Sequence, residues 1–174
     1  MSIVLFDNAE RKKLYPLNNC CAVAMLRVGI FTIKERWQLL TNETVFIKTE
    51  NYLSVLYDSI PHRSHIWIDA AVLADKDLIE RILVLEEGTA LADTNGLIAA
   101  RKKIADNNFN AAEALGYFET IYEYTDVKRL EYPWQIFQWN DEILSSDFEY
   151  IRSKKVSQQL PENCQYVNPE NIFL

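Results

Sequence analysis

The chain has 174 residues, of which 49% are hydrophobic and 25% are charged, and its formal net charge is −7 at pH 7. This length and composition favour one globular domain with a substantial core and exclude a disordered or collagen-like chain. The negative charge, with no basic stripe among the aromatic residues, argues against a nucleic-acid partner, although a mononucleotide with its Mg²⁺ ion stays compatible with it.

The N-terminal residues contain neither a basic region nor an apolar stretch long enough for a signal peptide or a membrane span. We therefore expect a cytoplasmic protein without membrane contact. Cys20, Cys21 and Cys164 lack the spacing of zinc ligands and are an odd number for a disulfide framework. They are predicted to be reduced thiols, with the adjacent pair packed in the core.

Short apolar runs rich in β-branched residues predict the strands in chain order. The first run, Ser2–Phe6, ends at polar residues and suits a central strand. A turn signal, Asn95-Gly96, predicts that two of the later runs form a hairpin. The later runs are residues 44–47, 65–68, 89–92 and 97–100.

Helical spacing of apolar residues predicts helices between these strands. The clearest is residues 75–85, where Asp75 caps the first turn and Gly88 follows the end. The others are residues 32–40, 50–57, 107–124 with an aromatic-rich end, and 133–150 as one or two helices. Strands that alternate with helices predict an α/β fold with an open, mostly parallel sheet and helices on both faces.

Two blocks of sequence carry a family resemblance. One comprises residues 14–17 (LYPL) and 27–37 (RVGIFTIKERW), and the other is residues 132–141 (YPWQIFQWND). They resemble the signatures of a bacterial family of two-domain sugar nucleotidyltransferases, the N-acetylglucosamine-1-phosphate uridylyltransferase-like enzymes. The resemblance implies a Rossmann-like nucleotidyltransferase domain over residues 1–152. It also implies that residues 153–174 are a connector that opens a left-handed β-helix domain in a longer chain.

The activity that the resemblance implies is Mg²⁺-dependent transfer of a nucleotidyl group from an NTP to a sugar 1-phosphate, with release of pyrophosphate. Several motif positions differ from the family pattern. A loop arginine and proline are replaced by Cys21 and Ala22, and an Asn-Gly pair after the third strand is replaced by Asp69-Ala70. A non-catalytic descendant that binds a nucleotide sugar or serves as a scaffold is therefore the alternative. An unrelated α/β binding module would require both blocks to be coincidence.

Candidate metal ligands are Asp69, which follows a strand, and Asn140, in the second block. Each has a structural alternative, Asp69 as a turn residue and Asn140 as a helix cap. We expect both residues to converge with the loop at residues 14–21 on one cleft. Mg²⁺ is the expected cofactor.

Candidate phosphate and substrate contacts are basic residues after the first strand together with polar groups of the matching loop. They are Arg11, Lys12 and Asn18, with Arg27 and Asp69 as candidate catalytic residues. A basic triplet such as residues 11–13 is also common on solvated surfaces. His62 and His65 match no strong ligand pattern.

The chain ends on three apolar residues, Ile172, Phe173 and Leu174. Exposed side chains of this size each forgo about 1.5 to 3 kcal/mol of burial, so we expect something to cover them. The first coil of a following β-helix is one candidate, and docking on this domain itself is the other.

Overall fold

Eight strands and five α-helices are present in the computed structural model, which describes residues 1–105 and 108–174. The strands are β1 (Ser2–Phe6), β2 (Arg27–Val28), β3 (Phe31–Thr32), β4 (Thr44–Lys48), β5 (His65–Asp69), β6 (Thr89–Asp93), β7 (Gly96–Lys102) and β8 (Thr120–Glu123). The α-helices are α1 (Ile33–Thr41), α2 (Asn51–Ser54), α3 (Lys76–Leu83), α4 (Trp134–Gln138) and α5 (Asn140–Lys154). Short 3₁₀ helices cover Ala9–Leu14, Val23–Met25, Ala111–Tyr117 and Pro169–Asn171.

Six strands form one sheet in the order β4-β1-β5-β7-β6-β8. β1 pairs in parallel with β4 and β5, and β8 pairs in parallel with β6. Within this sheet, as far as the described residues show it, only β7 runs against its neighbours β5 and β6, and β2 and β3 form a separate antiparallel pair. The predicted open, mostly parallel α/β sheet is therefore confirmed, and so is the hairpin across Asn95 and Gly96. β1 is an interior strand, one position from the sheet edge.

The two faces of the sheet bury different cores, because successive side chains of a strand point in opposite directions. Ile3 and Leu5 of β1 belong to the core that includes apolar residues of α1, α3 and α5. On the other face, the ring of Phe109 stacks on Trp67 with centroids 4.3 Å apart and meets Phe6 edge-on at 4.9 Å. Residues 108–118, with their 3₁₀ helix, thus cover the face that lies away from the long helices.

Side-chain caps fix where α1 and α3 begin. Thr32 Oγ1 accepts from the Glu35 amide at 3.1 Å, while the Thr32 amide donates to Glu35 Oε2 at 2.7 Å. Asp75 Oδ1 accepts from the Leu78 amide at 2.9 Å, which confirms the predicted cap of α3. Each cap satisfies backbone donors that have no partner inside the helix.

Helix α5 is joined to α1 by a buried ion pair between Arg36 and Asp147. The two guanidinium nitrogens donate to the two carboxylate oxygens at 2.6 and 2.8 Å. Asp147 Oδ2 also accepts from the Ile30 amide at 2.9 Å, in the turn of the β2–β3 hairpin. The Asp147 carboxylate of α5 therefore contacts both α1 and the β2–β3 hairpin and holds the three elements together.

Gly29 is required at this junction for two reasons. Its φ of +77° is disfavoured for other residues, and an added Cβ would lie 2.6 Å from both Asp147 Oδ2 and the Ile143 side chain. We expect Gly29→Ala to lower the free energy of unfolding by about 2 to 4 kcal/mol. The matched control is Gly88→Ala, at φ +87° with nothing within 4 Å of the added atom, which should cost about 1 kcal/mol. Equal losses for the two variants in urea denaturation would contradict this account.

Several predicted elements differ from those observed. The predicted helix at residues 50–57 is only the single turn α2, because Leu53 alone among the residues of that turn is buried. The segment predicted as a helix at residues 107–124 contains a 3₁₀ helix and then β8, and Asn107 lies outside the described residues. The N-cap of α5 is Trp139, without a side-chain cap, so the alternative of Asn140 as a helix cap was wrong.

His65 is buried in β5 as a neutral ring. Since the Pro61 carbonyl can only accept, Nε2 donates to it at 2.7 Å, and Nδ1 accepts from Ser2 Oγ at 2.7 Å. Burial lowers the pKa of His65 from its ordinary value of 6.5. Between 6.5 and the lowered pKa, the unfolded chain therefore binds a proton that the folded protein does not.

We accordingly expect the free energy of unfolding to fall as the pH falls below 6.5. Denaturation of the wild type and of His65→Gln at about pH 7.5 and about pH 5.5 measures the effect, and the variant should lose part of the pH dependence. His62→Gln, at an exposed site in the preceding loop, is the control and should behave as the wild type. An unchanged pH dependence in His65→Gln would refute the assignment.

The last twenty residues pack lightly on the domain. Phe173 meets Phe148 of α5 edge-on at 5.8 Å, and the backbone of Leu174 bonds to residues 157 and 158. Leu174 itself is 50% exposed. The domain itself thus covers part of this apolar segment, and the β-helix domain after residue 153 stays a prediction from the resemblance. Among the described residues, no helix is long and apolar enough to cross a membrane.

Candidate functional site

A cleft of about 260 Å³ lies at the carboxyl ends of β1 and β5. These neighbouring strands are parallel, and the chain leaves β1 toward β4 on one side and leaves β5 toward β6 and β7 on the other. In open α/β sheets, ligands bind where the connections diverge in this way. The strand order alone therefore predicts a ligand site at this cleft. Its lining residues include Asn8, Arg11, Lys13, Asp69, Asn95, Arg129 and Glu131.

Three strands that share one direction deliver a carboxylate to this edge of the sheet. Asp7 follows β1, Asp69 is the last residue of β5, and Asp93 is the last residue of β6. Asp69 is 1% exposed. Its Oδ1 accepts from the Ala71 amide at 2.9 Å, and its Oδ2 accepts from Asn8 Nδ2 at 2.9 Å. Burial raises the pKa of Asp69 above its ordinary value, and Arg129 opposes that shift by stabilising the carboxylate.

Arg129 lies between two of these carboxylates. One guanidinium nitrogen donates to Asp69 Oδ2, and the other lies 3.1 Å from Asp93 Oδ1. The segment around Arg129 is fixed by backbone hydrogen bonds to the residues after β5. The Leu130 amide donates to the Ala71 carbonyl, and the Leu73 amide donates to the Lys128 carbonyl. The guanidinium is therefore held in place by both its backbone and its partners.

The third carboxylate, Asp7, has its own cation in Arg11. Arg11 Nε donates to Asp7 Oδ2 at 3.0 Å, and Thr49 Oγ1 donates to the same oxygen at 2.6 Å. Burial raises the pKa of Asp7, while the hydrogen bonds from Thr49 and Val23 and the charge of Arg11 act in the opposite direction. Arg11 also donates to the carbonyls of Asn18 and Cys21. It therefore ties the loop at residues 15–22 to β1.

The amides at the end of that loop also have partners within the protein. The Ala22 amide donates to the Tyr57 hydroxyl at 2.8 Å, and the Val23 amide donates to Asp7 Oδ1 at 2.9 Å. A phosphate-binding loop presents such amides to its ligand. In this structure they stabilise the loop itself.

Residues 3–156 match the sequence profile of a family described as sugar nucleotidyl transferase. The chain belongs to this family. The match covers all of the described strands except the first residue of β1, and it supports a nucleotidyltransferase-like function. A comparison with curated proteins found no match.

In this member of the sugar nucleotidyl transferase family, only some of the predicted site residues lie together in the cleft. Arg11 and Asp69 line the cleft. Asn18 is fully buried and donates through Nδ2 to the Arg11 carbonyl at 2.9 Å, so it connects the loop to the preceding 3₁₀ helix. Lys12 is exposed and does not line the cleft, whereas its neighbour Lys13 does line it.

Two further predicted residues lie outside the cleft. Arg27, on the exposed side of β2, lies 3.9 Å from Glu35 of α1. Asn140 is the exposed first residue of α5. Asp69 and Leu14 line the cleft, whereas Asn140 and the rest of the loop at residues 14–21 are not among its lining residues, so the convergence of all of them on one site stays a prediction. The predicted core packing holds for half-buried Cys21, which contacts the core, but Cys20 is exposed.

The residues of the cleft do not fit a Mg²⁺ ion. Mg²⁺ requires free oxygen ligands in octahedral geometry at about 2.0 to 2.1 Å. Both oxygens of Asp69 are engaged by protein donors, and Arg129 places a positive charge against them. Within residues 1–105 and 108–174, no group of three or more His, Cys, Asp or Glu side chains could hold a metal ion.

A larger cleft of about 710 Å³ lies between α1, α5 and the start of α3. It contains the Arg36–Asp147 pair, which already holds the helices together. Its acidic side chains outnumber its basic ones, so a phosphate ester would be repelled there. The acidic residues of this larger cleft are Asp75, Asp77, Asp126, Glu142, Asp147 and Glu149, and the basic ones are Arg36, Lys76 and Lys128. The smaller cleft at the sheet edge is therefore the candidate site.

Sequence reasoning missed Asn8, Asp93 and Arg129, and it offered Lys13 only as a member of the basic triplet at residues 11–13. A signal for Asp93 was present, because Asp7, Asp69 and Asp93 each stand at the carboxyl end of a predicted apolar run. Arg129 stands in no predicted element, and only the folded chain brings it to β5.

Proposed function

We propose that the cleft binds a nucleotide or a nucleotide sugar, and that this family member binds its ligand without transferring the nucleotidyl group. The observation that carries the proposal is that the groups suited to the transfer chemistry already have partners inside the protein. Family membership supplies the ligand class, and the internal pairing argues against turnover.

Two cationic groups support the binding of an anionic ligand. Lys13 lines the cleft and forms an ion pair with the exposed Glu10, 2.9 Å away, while the charge of Glu131 also acts on it. Exposed pairs of this kind contribute little, so Lys13 can turn to a phosphate at small cost. Arg129 also lines the cleft, and its Nε is buried without a hydrogen-bond acceptor among the described residues. The guanidinium thus adds a positive charge at the wall of the cleft.

An aromatic pair beside the cleft residue Lys13, which we call the rim, suits the remainder of such a ligand. The rings of Tyr132 and Trp134 stack with centroids 4.5 Å apart, and Lys13 Nζ lies 5.7 Å from the Tyr132 ring centre. Trp134 is 55% exposed. Because small-molecule sites span about 300 to 1,000 Å³, a cleft of about 260 Å³ holds the phosphates and one ring, and the other ring stacks at the rim.

Nucleotidyl transfer requires that two anions be aligned and their charges screened. In this protein Asp69 is bound to Arg129, Arg11 is bound to Asp7, and the amides of Ala22 and Val23 are capped internally. Transfer would require several of these buried contacts to break. Binding at Lys13 and the rim requires none of them to change.

Mg²⁺-dependent transfer of a nucleotidyl group from an NTP to a sugar 1-phosphate, with release of pyrophosphate, is the second candidate. The match to a sugar nucleotidyl transferase family over residues 3–156 favours it. It would require ligand binding to withdraw Arg129 from Asp69.

Calorimetric titration of the full chain with a panel of NTPs and nucleotide sugars tests the binding. We expect saturable binding of at least one ligand, weakened about tenfold in Lys13→Gln because a charge-assisted contact to phosphate is lost. Lys12→Gln, one residue away and outside the cleft, is the matched control and should bind as the wild type. Equal affinities for all three proteins would show that Lys13 does not contact the ligand. Absence of binding by the wild type would contradict the proposal.

A further inference from the structure

Asp69 and Asp93 end parallel-running strands β5 and β6, and both are held by one buried guanidinium. The side chains of Arg129, Asp69 and Asp93 are 6%, 1% and 10% exposed. Two carboxylates that share one small site repel each other unless a cation lies between them. In this protein the chain itself supplies that cation.

The hydrogen bonds leave Asp69 little capacity for another ligand. A carboxylate offers about four lone-pair positions, and Asp69 uses three of them for Ala71, Asn8 and Arg129. A divalent cation that approached Asp69 would also meet the fixed positive charge of Arg129 at close range. Arg129 therefore both occupies the oxygen ligands and repels a competing cation.

We propose that Arg129 is an internal cation that takes the place of a divalent metal ion between Asp69 and Asp93, so that this cleft needs no metal to hold its carboxylates. The claim concerns the free protein and does not depend on which ligand the cleft binds. It makes Arg129 a positioning residue that fixes Asp69, and through Asp69 the side chain of Asn8.

Titration of the full-length chain with Mn²⁺ alone, followed by electron paramagnetic resonance, tests the proposal. The wild type should show no saturable Mn²⁺ site that depends on Asp69, so its titration should match that of Asp69→Asn. In Arg129→Met, which keeps the length of the side chain without its charge, the two carboxylates are released. Its affinity for Mn²⁺ should exceed that of the wild type by about tenfold or more.

Thermal unfolding with and without Mn²⁺ provides a second measurement, which also works when Arg129→Met is weakly folded. Mn²⁺ should raise the melting temperature of Arg129→Met, and the double variant Arg129→Met/Asp69→Asn should lose that rise. A wild-type Mn²⁺ site that Asp69→Asn abolishes would overturn the proposal. So would an Arg129→Met protein that gains neither Mn²⁺ affinity nor Mn²⁺-dependent stability. Neither result bears on nucleotide binding, which the calorimetric titration decides separately.

Discussion

Replacing Asp147 with alanine should lower the free energy of unfolding by about 3 to 5 kcal/mol, because it leaves the buried Arg36 guanidinium without its counter-ion. The Ile30 amide loses its acceptor at the same time. A loss of this size is a large share of the total stability of an ordinary domain, about 5 to 15 kcal/mol. Urea denaturation followed by circular dichroism measures it.

Glu149→Ala is the control, two residues further along α5. Glu149 forms an ion pair of 3.6 Å with Arg152, and both side chains are more than half exposed. Because exposed pairs contribute about 0 to 1 kcal/mol, this variant should stay close to the wild type. Similar losses for Asp147→Ala and Glu149→Ala would show that the buried pair does not hold α5 in place.

Replacing Arg11 with methionine should also cost about 3 to 5 kcal/mol, since the buried Asp7 then has no cation beside it. The carbonyls of Asn18 and Cys21 lose their donor as well, so the loop at residues 15–22 should loosen. Thr49 and the Val23 amide still donate to Asp7, which limits the loss. Denaturation in urea is again the measurement.

Lys12→Met is the matched control, at an exposed position of the same 3₁₀ helix, and should change stability by less than about 0.5 kcal/mol. The pair of variants separates two roles for Arg11. If Arg11 mainly grips substrate, Arg11→Met would keep its stability and lose ligand affinity. The structure predicts the opposite result, in which Arg11→Met loses much of its stability because Arg11 pairs with the buried Asp7.

The strands could be predicted from the sequence because each buried strand is a short apolar run with a clear polar end. β1, β5 and the β6–β7 hairpin were all found in this way. β8 escaped notice because its four side chains are exposed and show no alternation between a buried and a solvated face. The β2–β3 hairpin, two residues in each strand, is too short to produce a periodic pattern.

The candidate site was predictable only where a residue follows directly from a strand end. Asp69 was found because it ends β5 at the edge of the sheet where ligands bind. Its partner Arg129 lies sixty positions away in irregular structure, so no local pattern connects the two. Asn140 was proposed from the resemblance and not from a strand end, and it lies outside the lining of the cleft as the first residue of α5.

The family signatures indicated the fold correctly, and the altered positions bear on the proposal that the cleft binds its ligand without transfer. Cys21 and Ala22 stand where the family pattern has an arginine and a proline, and the Ala22 amide is capped by Tyr57. Arg11 does not take the place of the arginine in the family pattern, because its guanidinium is paired with Asp7. The fold therefore agrees with the family, and the loss of nucleotidyl transfer is the proposal that these positions support.

The most direct test of the central claim measures ligand binding and pyrophosphate release on the same preparation of the full chain. The reaction contains Mg²⁺, the NTP panel and candidate sugar 1-phosphates, and an identically purified Asp69→Asn variant controls for contaminating enzymes. We expect saturable binding of a nucleotide or nucleotide sugar and pyrophosphate release no higher than in the Asp69→Asn control. Sustained release by the wild type that Asp69→Asn abolishes would contradict the account and establish the protein as an active nucleotidyltransferase.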